Sequence, residues 1–182
     1  MLNKKLRILL YANNLWYLGE GMLGPLFAVF AEKIGGNILD ISWAWAVYLL
    51  VTGILIVFVG KISDNRKNHK GLMVAGFGLN AILTFAYLLV STPLHLILIQ
   101  VGLGIAAALA APTWYALYSK YQKKNNSGFS WGLADGLAKF IIGVSIILGG
   151  LIVTYFSFEL LFIIMGVFQV IATIVLLRIF KE

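Results

Sequence analysis

Three ionisable side chains lie deep inside apolar stretches of this chain, where a charge is costly. Glu20 lies about 18 Å from the start of its stretch, at ~1.5 Å per helical residue. Lys139 lies at a similar depth in a later stretch, and Asp135 precedes it by one helical turn, so the two can pair. Glu20 is a candidate for binding a proton or cation, and Lys139 for contacting an anionic solute. In the alternative interpretation Asp135 and Lys139 neutralise each other, and Glu20 is held neutral by Asn13, Asn14 or a tyrosine.

Polar and aromatic side chains accompany Glu20 and recur in the fourth apolar stretch. The two groups are Asn13, Asn14, Trp16 and Tyr17, and Thr113, Trp114, Tyr115 and Tyr118. Such side chains can contact a small molecule inside a helical bundle, or they can form an aromatic belt at the membrane surface. For three tryptophans at stretch ends, Trp43, Trp45 and Trp131, the position favours the belt.

Six apolar stretches must position these side chains. They cover about 8–32, 41–60, 71–91, 94–118, 128–155 and 158–179. A membrane-spanning helix needs ~20 mostly apolar residues. A mean hydropathy of +0.94 with 61% hydrophobic residues fits no soluble domain. The sequence therefore predicts an all-α membrane protein with six transmembrane helices, folded as a single domain over residues 1–182.

The basic residues are distributed very unevenly between the two sides of the membrane. Of the 14 lysines and arginines, 12 flank the stretches on the side that holds both termini. Basic loops stay in the cytoplasm, so we expect cytoplasmic termini in a plasma (inner) membrane of prokaryotic type. The net charge of +7 then reflects topology and does not indicate nucleic-acid binding. With no cysteine and two histidines, we expect neither a metal site nor a cofactor.

The two halves of the chain match each other weakly but in order. The matches are Gly24-Pro25 with Ala111-Pro112, Ser42-Trp43 with Ser130-Trp131, and Gly60 with Gly149, at offsets of 87, 88 and 89. Since each repeat holds three spans, the second must be inverted relative to the first. Such three-plus-three inverted repeats build many secondary transporters. We predict repeats over about 1–92 and 93–182; the alternative is chance recurrence of small and aromatic residues.

The loop after the second stretch carries the most specific motif of the chain. It reads Gly60-Lys61-Ile62-Ser63-Asp64-Asn65-Arg66-Lys67-Asn68-His69-Lys70. This loop resembles the signature Gly-x-Leu-(Gly/Ala/Ser)-Asp-Arg-x-Gly-Arg-(Arg/Lys) of the major facilitator superfamily, and it lies in the same helix 2–3 loop. Asn65 replaces the first basic residue of the signature and Lys67 replaces its second glycine.

Further similarities extend this resemblance along the chain. Gln100, Gly104 and Pro112 resemble the Arg-x-x-x-Gly…Pro pattern of helix 4, with glutamine where many members carry arginine. Gly149-Gly150 matches the end of an antiporter motif in helix 5, and 158–162 resembles the opening of helix 6. Members usually have twelve helices in two halves. The resemblance therefore implies a half bundle, similar to the N-terminal half.

The resemblance also implies a function and residues for it. The expected function is secondary active or facilitative transport of a small solute by alternating access, with proton coupling through Glu20 and no enzymatic reaction. Helices 1 and 4 of the family line the central cavity. The residues of the helix 2–3 loop are expected to form a cytoplasmic gate; they are Gly60, Ser63, Asp64, Arg66, Lys67 and Lys70. The Asp64 carboxylate would lie against a helix N-terminus of the opposite half, near Asn126-Ser127-Gly128.

A single half would leave polar side chains facing lipid, which is costly. We therefore expect a parallel homodimer, in which the second and fifth spans of one copy pack on the fifth and second of the other. A heterodimer, or a longer chain of which this is a piece, is the competing arrangement. Two other functions stay open: a substrate-binding membrane subunit of an energy-coupling-factor vitamin uptake system, and a membrane assembly protein that does not transport.

Overall fold

A computed structural model describes residues 3–122 and 127–181, and in these ranges all regular elements are helices. The helices are α1 (Lys4–Gly21), α2 (Leu26–Lys33), α3 (Ile38–Arg66), α4 (His69–Ala86), α5 (Pro93–Tyr121), α6 (Ser127–Tyr155) and α7 (Phe158–Leu177). Short 3₁₀ turns extend α4 and α7. Helices α3 to α7 are each long and apolar enough to cross a membrane. The prediction of an all-α membrane protein is confirmed.

The first of the six predicted spans consists of two helices. Residues 22–25 form turns between α1 and α2, and Phe27 N donates to Gly24 O at 3.2 Å where the chain resumes its helix. Pro25 has no backbone N–H to donate to the preceding turn, and its ring disfavours helix at Gly24. The chain therefore breaks in the middle of the stretch that the sequence analysis treated as one span.

Side-chain caps fix where three of the spans begin. Asn37 Oδ1 accepts from Asp40 N at 3.1 Å, and Asp40 Oδ2 accepts from Asn37 N at 2.9 Å, which forms a capping box at the start of α3. Thr92 caps α5, whose first residue is Pro93, and Ser157 caps α7. These short polar turns therefore define one end of the bundle.

The helices pack in a pattern that is symmetric with respect to the two halves. Helix α5 packs on α3 and α4, the first span packs through α1 on α6 and α7, and α4 packs on α7. Exchanging the first three spans for the last three leaves this set of neighbours unchanged. A repeat of three spans would have such a pattern; the boundaries at about 1–92 and 93–182 stay a prediction.

Glycines allow the closest of these approaches. A Cβ on Gly76 would lie 2.7 Å from Ala106 O, between α4 and α5, and one on Gly104 would lie 2.9 Å from Tyr48 O, between α5 and α3. A Cβ on Gly149 of α6 would collide with Met22 O, at the break in the first span. Helix backbones can approach this closely only where a side chain is missing.

The two ends of the bundle differ in charge. Lys70 Nζ donates to Ile179 O at 2.6 Å and lies 5.8 Å from the centre of the Phe180 ring, so the α3–α4 turn and the end of α7 meet. We call this the basic end. At the opposite end, Lys33 Nζ lies 3.8 Å from Glu159 Oε1. Helices α3 and α6 are the least buried of the five long helices.

Candidate functional site

Two cavities lie one above the other along the bundle. The inner cavity, toward the basic end, has a volume of about 400 Å³ and is lined by α1, α3, α4, α5 and α6. The outer cavity, toward the opposite end, has a volume of about 330 Å³. Three side chains line both of them: Tyr17, Glu20 and Tyr48. Glu20 therefore lies where the two cavities meet.

Glu20 is held by its own helix. Trp16 Nε1 donates to Glu20 Oε2 from one turn earlier in α1. Among the described residues no lysine, arginine or histidine forms an ion pair with Glu20. A carboxyl group within a membrane span without a countercharge can bind a proton or a cation. The described hydrogen-bond partner of the Glu20 side chain is thus Trp16 and not an asparagine; its role as a coupling group stays a prediction.

Trp16 is itself fixed by neighbouring helices. Gln169 Nε2, fully buried in α7, donates to Trp16 O at 3.0 Å. The indole packs edge-on against Phe77 of α4, with ring centres 4.5 Å apart. Sequence reasoning missed Gln169, although a lone amide in the middle of an apolar span is itself a signal. Its amide links the last span to the residue that holds Glu20.

An aromatic cluster forms the wall of the inner cavity at the basic end. Trp114 stacks on Tyr118 at 4.7 Å, and Trp131 lies 4.7 Å from Tyr118. Tyr118 Oη donates to Ser130 O at 2.5 Å, which ties α5 to α6. The position of Trp131 near a helix end had favoured an interfacial belt, but its half-buried ring lines the inner cavity. Because α6 lies beside α5 at this point, a residue near the start of α6 can line the inner cavity.

Asp135 and Lys139 form the pair that their spacing allows. Lys139 Nζ lies 3.9 Å from Asp135 Oδ1, and the side chains are 75% and 74% exposed. Asp135 lines the inner cavity, whereas Lys139 is absent from the described lining of either cavity. The geometry thus favours mutual neutralisation at the rim over a Lys139 contact with an anion inside the cleft.

The remaining polar candidates divide between the cavities. Asn13, Trp114 and Tyr115 line the inner cavity, and Gln100 lines the outer one. Within the described ranges Asn14 is absent from both linings, and its Oδ1 is buried without a hydrogen-bond partner. Asn13 and Asn14 are neighbours on one helix and therefore point in different directions, so only one of them reaches the cleft.

The outer cavity brings polar residues together that the sequence analysis did not single out. Asn80, Thr84 and Tyr87 extend along α4 and the turn that follows it, and they line this cavity with Gln100. Gln100 Nε2 donates to Tyr87 Oη at 3.4 Å. Isolated amides in apolar spans were the available signal; spacing along a single helix could not show that α4 and α5 bring them together.

The motif of the α3–α4 loop has a defined local structure. Ser63 is buried, with Oγ 2.5 Å from His69 Nδ1, and Asp64 Oδ1 lies 3.9 Å from His69 Nε2. Lys67 ends α3 in the left-handed conformation, with φ 51°, and Lys70 reaches across to the end of α7. Asp64 itself is exposed, so its carboxylate is accessible to a group outside this bundle.

Two other parts of the gate prediction can be placed. A Cβ on Gly60 would lie 3.8 Å from Pro112 Cβ, so α3 passes close to α5 here. Arg66, in the last turn of α3, is exposed. The helix N-terminus expected to contact Asp64 is the start of α6. Ser127 and Gly128 are the first residues of this helix, and Asn126 lies outside the described residues.

Comparison with known proteins agrees with this architecture. The family model described as Major Facilitator Superfamily matches residues 9–182. An uncharacterized MFS-type transporter of Methanocaldococcus jannaschii is 23% identical over 158 residues, which are 87% of this chain and 41% of that protein. The proton-coupled antiporter flippase LtaA of Staphylococcus aureus (strain USA300) is 24% identical over 158 residues, 80% of this chain and 40% of that protein.

The chain thus spans about two fifths of the length of these curated relatives. The family match covers all seven helices except the first residues of α1. It includes the α3–α4 motif and the side chains that line both cavities. From its sequence match and its helical membrane architecture, the chain belongs to the Major Facilitator Superfamily of membrane transporters.

Proposed function

We propose that this chain forms one half of a transporter that moves a small solute across a prokaryotic-type plasma membrane by alternating access, with its termini in the cytoplasm. The observation that carries the proposal is the position of Glu20 at the junction of the inner and outer cavities. Transporters of this architecture bind solutes and coupling ions near the membrane midplane and expose the site to one side at a time. A group that lines both cavities has the location that such a cycle requires.

Proton coupling through Glu20 is the second part of the proposal. Its only described hydrogen-bond donor is the Trp16 indole, which is neutral, so a proton can neutralise the carboxylate within the span. The relative LtaA is named a proton-coupled antiporter. In a coupled cycle the proton and the solute cross in linked steps, and Glu20 would be the group that takes up and releases the proton.

A second copy of the chain is proposed to cover the exposed faces of α3 and α6. The Asp135–Lys139 pair is about three-quarters exposed on α6, and a charged pair facing lipid is costly. Helices α3 and α6 occupy equivalent positions in the symmetric neighbour pattern. A two-fold contact can therefore place α3 of one copy against α6 of the other and bury the same surface on both.

Counting copies while measuring transport tests this proposal. The chain has no cysteine, so a single cysteine replacing exposed Lys181 can carry one dye per copy. Protein would be reconstituted at low density into vesicles that contain a pH-sensitive dye, and solutes would be screened for those that drive proton movement. Bleaching steps report the number of copies in each vesicle.

We expect solute-driven proton movement in vesicles with two copies and none in vesicles with one. Transport by vesicles that hold a single copy would refute the homodimer. If no solute in the screen moves protons or exchanges across vesicles with two copies, the transport proposal itself fails.

A further inference from the structure

Asn80 is a buried amide for which the described part of the chain offers no hydrogen-bond partner. Its side chain is in α4, and the residue is 1% exposed. Within the described residues neither Nδ2 nor Oδ1 has a hydrogen-bond partner, although an unpaired buried polar group costs stability. Of the buried side chains with an unpaired polar atom, Asn80 is the one with both atoms unpaired and with a place in a cavity wall.

The other polar groups confined to the outer cavity are also uncharged. Thr84 Oγ1 donates to Asn80 O at 2.8 Å, which leaves its oxygen able to accept. Gln100 donates to the Tyr87 hydroxyl, which can in turn donate. No described lining residue of this cavity is basic, and its only carboxyl group, Glu20, is shared with the inner cavity. The outer cavity therefore offers donors and acceptors without a fixed charge of its own.

The rest of this cavity is apolar. Its lining includes Leu23, Phe27, Trp45, Leu103, Ile142 and Met165. A volume of about 330 Å³ is within the range of small-molecule sites, which combine an apolar wall with a few placed polar groups. The wall thus matches a molecule that is partly apolar.

We propose that the outer cavity is a binding subsite for the uncharged, hydrogen-bonding head of an amphipathic solute, with the Asn80 amide as its main polar contact. This assignment rests on the proposed transport function and specifies its solute class. An uncharged head can satisfy both atoms of the amide. An anionic head would lose its hydration here without a countercharge, which is unfavourable, and a cationic head would meet one only at Glu20 in its deprotonated form.

Three probes that share an octyl-length main chain separate the head-group classes. These are 1,2-octanediol (uncharged), octyltrimethylammonium (cationic) and octanoate (anionic). Leu103→Cys places a single reactive thiol in the outer-cavity wall of the otherwise cysteine-free chain. The rate of its reaction with a small maleimide, measured on the purified chain in lipid nanodiscs, reports occupancy of the cavity.

In a Glu20→Gln background, which removes the one carboxylate of the described lining, we expect 1,2-octanediol to slow the reaction saturably and the two charged probes to have no such effect at equal concentration. Adding Asn80→Leu should weaken protection by the diol by about tenfold or more, since the amide hydrogen bonds are lost. The same variant should melt at an unchanged or higher temperature, because it removes an unpaired buried amide. Ile82→Leu, on the lipid-exposed face of α4, is the matched control and should leave protection unchanged.

The proposal is overturned if the diol protects the Leu103→Cys thiol equally well with Asn80 and with Asn80→Leu. It is also overturned if a charged probe protects this thiol as strongly as the diol does. If Asn80→Leu does not fold, Gln100→Leu is measured in the same way and should also weaken protection. The readout is binding, so it is separate from the transport test. A chain that shows Asn80-dependent protection but moves no solute contradicts the transport proposal and leaves the subsite standing.

Discussion

At the scale of residues, the environment of Glu20 determines what the cleft can do. Its carboxyl group has one described donor, the indole of Trp16, which is in turn fixed through its carbonyl by Gln169. The cavities on either side share Glu20 with two tyrosines. A proton on Glu20 would therefore change the charge of both cavities at once, which is why we propose this residue as the coupling group.

Glu20→Gln should separate coupling from solute movement. The amide keeps the size and much of the hydrogen bonding of the carboxylic acid but cannot exchange a proton. We expect uptake driven by a pH gradient to be abolished, while exchange of labelled for unlabelled solute across vesicles stays largely intact. Asp40→Asn makes the same carboxylate-to-amide change in the cap of α3, at the end of the bundle opposite the basic end. This control should leave uptake driven by a pH gradient in place. Full proton-coupled uptake by Glu20→Gln would exclude Glu20 as the coupling group.

Individual residues also show what sequence could predict about the site. Glu20 and Trp114 were identified because one is a charge in an apolar span and the other belongs to a polar-aromatic stripe. Asn80 and Gln169 were missed because their significance depends on which helices they meet. The sequence suggests Lys139 as an anion contact because its depth in the membrane follows from its position in the span, whereas the direction of its side chain depends on the neighbouring helices.

At the scale of elements, helix contacts depend on a few glycines. The fold class and the span positions followed from apolar length alone, and α3 to α7 confirm them. The break at Gly24-Pro25 did not follow, because proline also occurs inside an unbroken helix: Pro112 lies within α5. At the break, α6 approaches so closely that a Cβ on Gly149 would collide with Met22 O, whereas none of the described atoms lies within 4 Å of a Cβ on Gly150.

Gly149→Ala should therefore destabilise the bundle, and Gly150→Ala should not. The alanine methyl group forces α6 away from the first span, and overpacking of this kind typically costs ~1–3 kcal/mol. We expect a lower melting temperature for Gly149→Ala in detergent, with the temperature for Gly150→Ala at or above that of the wild type. If both variants melt as the wild type does, the first span and α6 do not make this contact.

At the scale of the whole molecule, we propose that Asp64, which is exposed, contacts the second half of the transporter. The N-terminus of a helix carries partial positive charge and free amide donors. A carboxylate there gains ~0.3–1 kcal/mol per contact. In a homodimer two such contacts form across the basic end. At about 1 kcal/mol each they change the ratio of the two access states about thirtyfold, since ~1.4 kcal/mol is a factor of ten.

The most direct test of alternating access is the reactivity of both cavities in the same protein. Ala111→Cys reports the inner cavity and Thr84→Cys reports the outer cavity, each as the single thiol of the chain. In Asp64→Asn, we expect the inner thiol to react faster from the cytoplasmic side and the outer thiol to react more slowly from outside, by up to about thirtyfold. Glu32→Gln, an exposed acidic residue at the opposite end, should change neither rate. Two rates that stay constant in Asp64→Asn, or that rise together, would contradict a transporter that opens one cavity only as it closes the other.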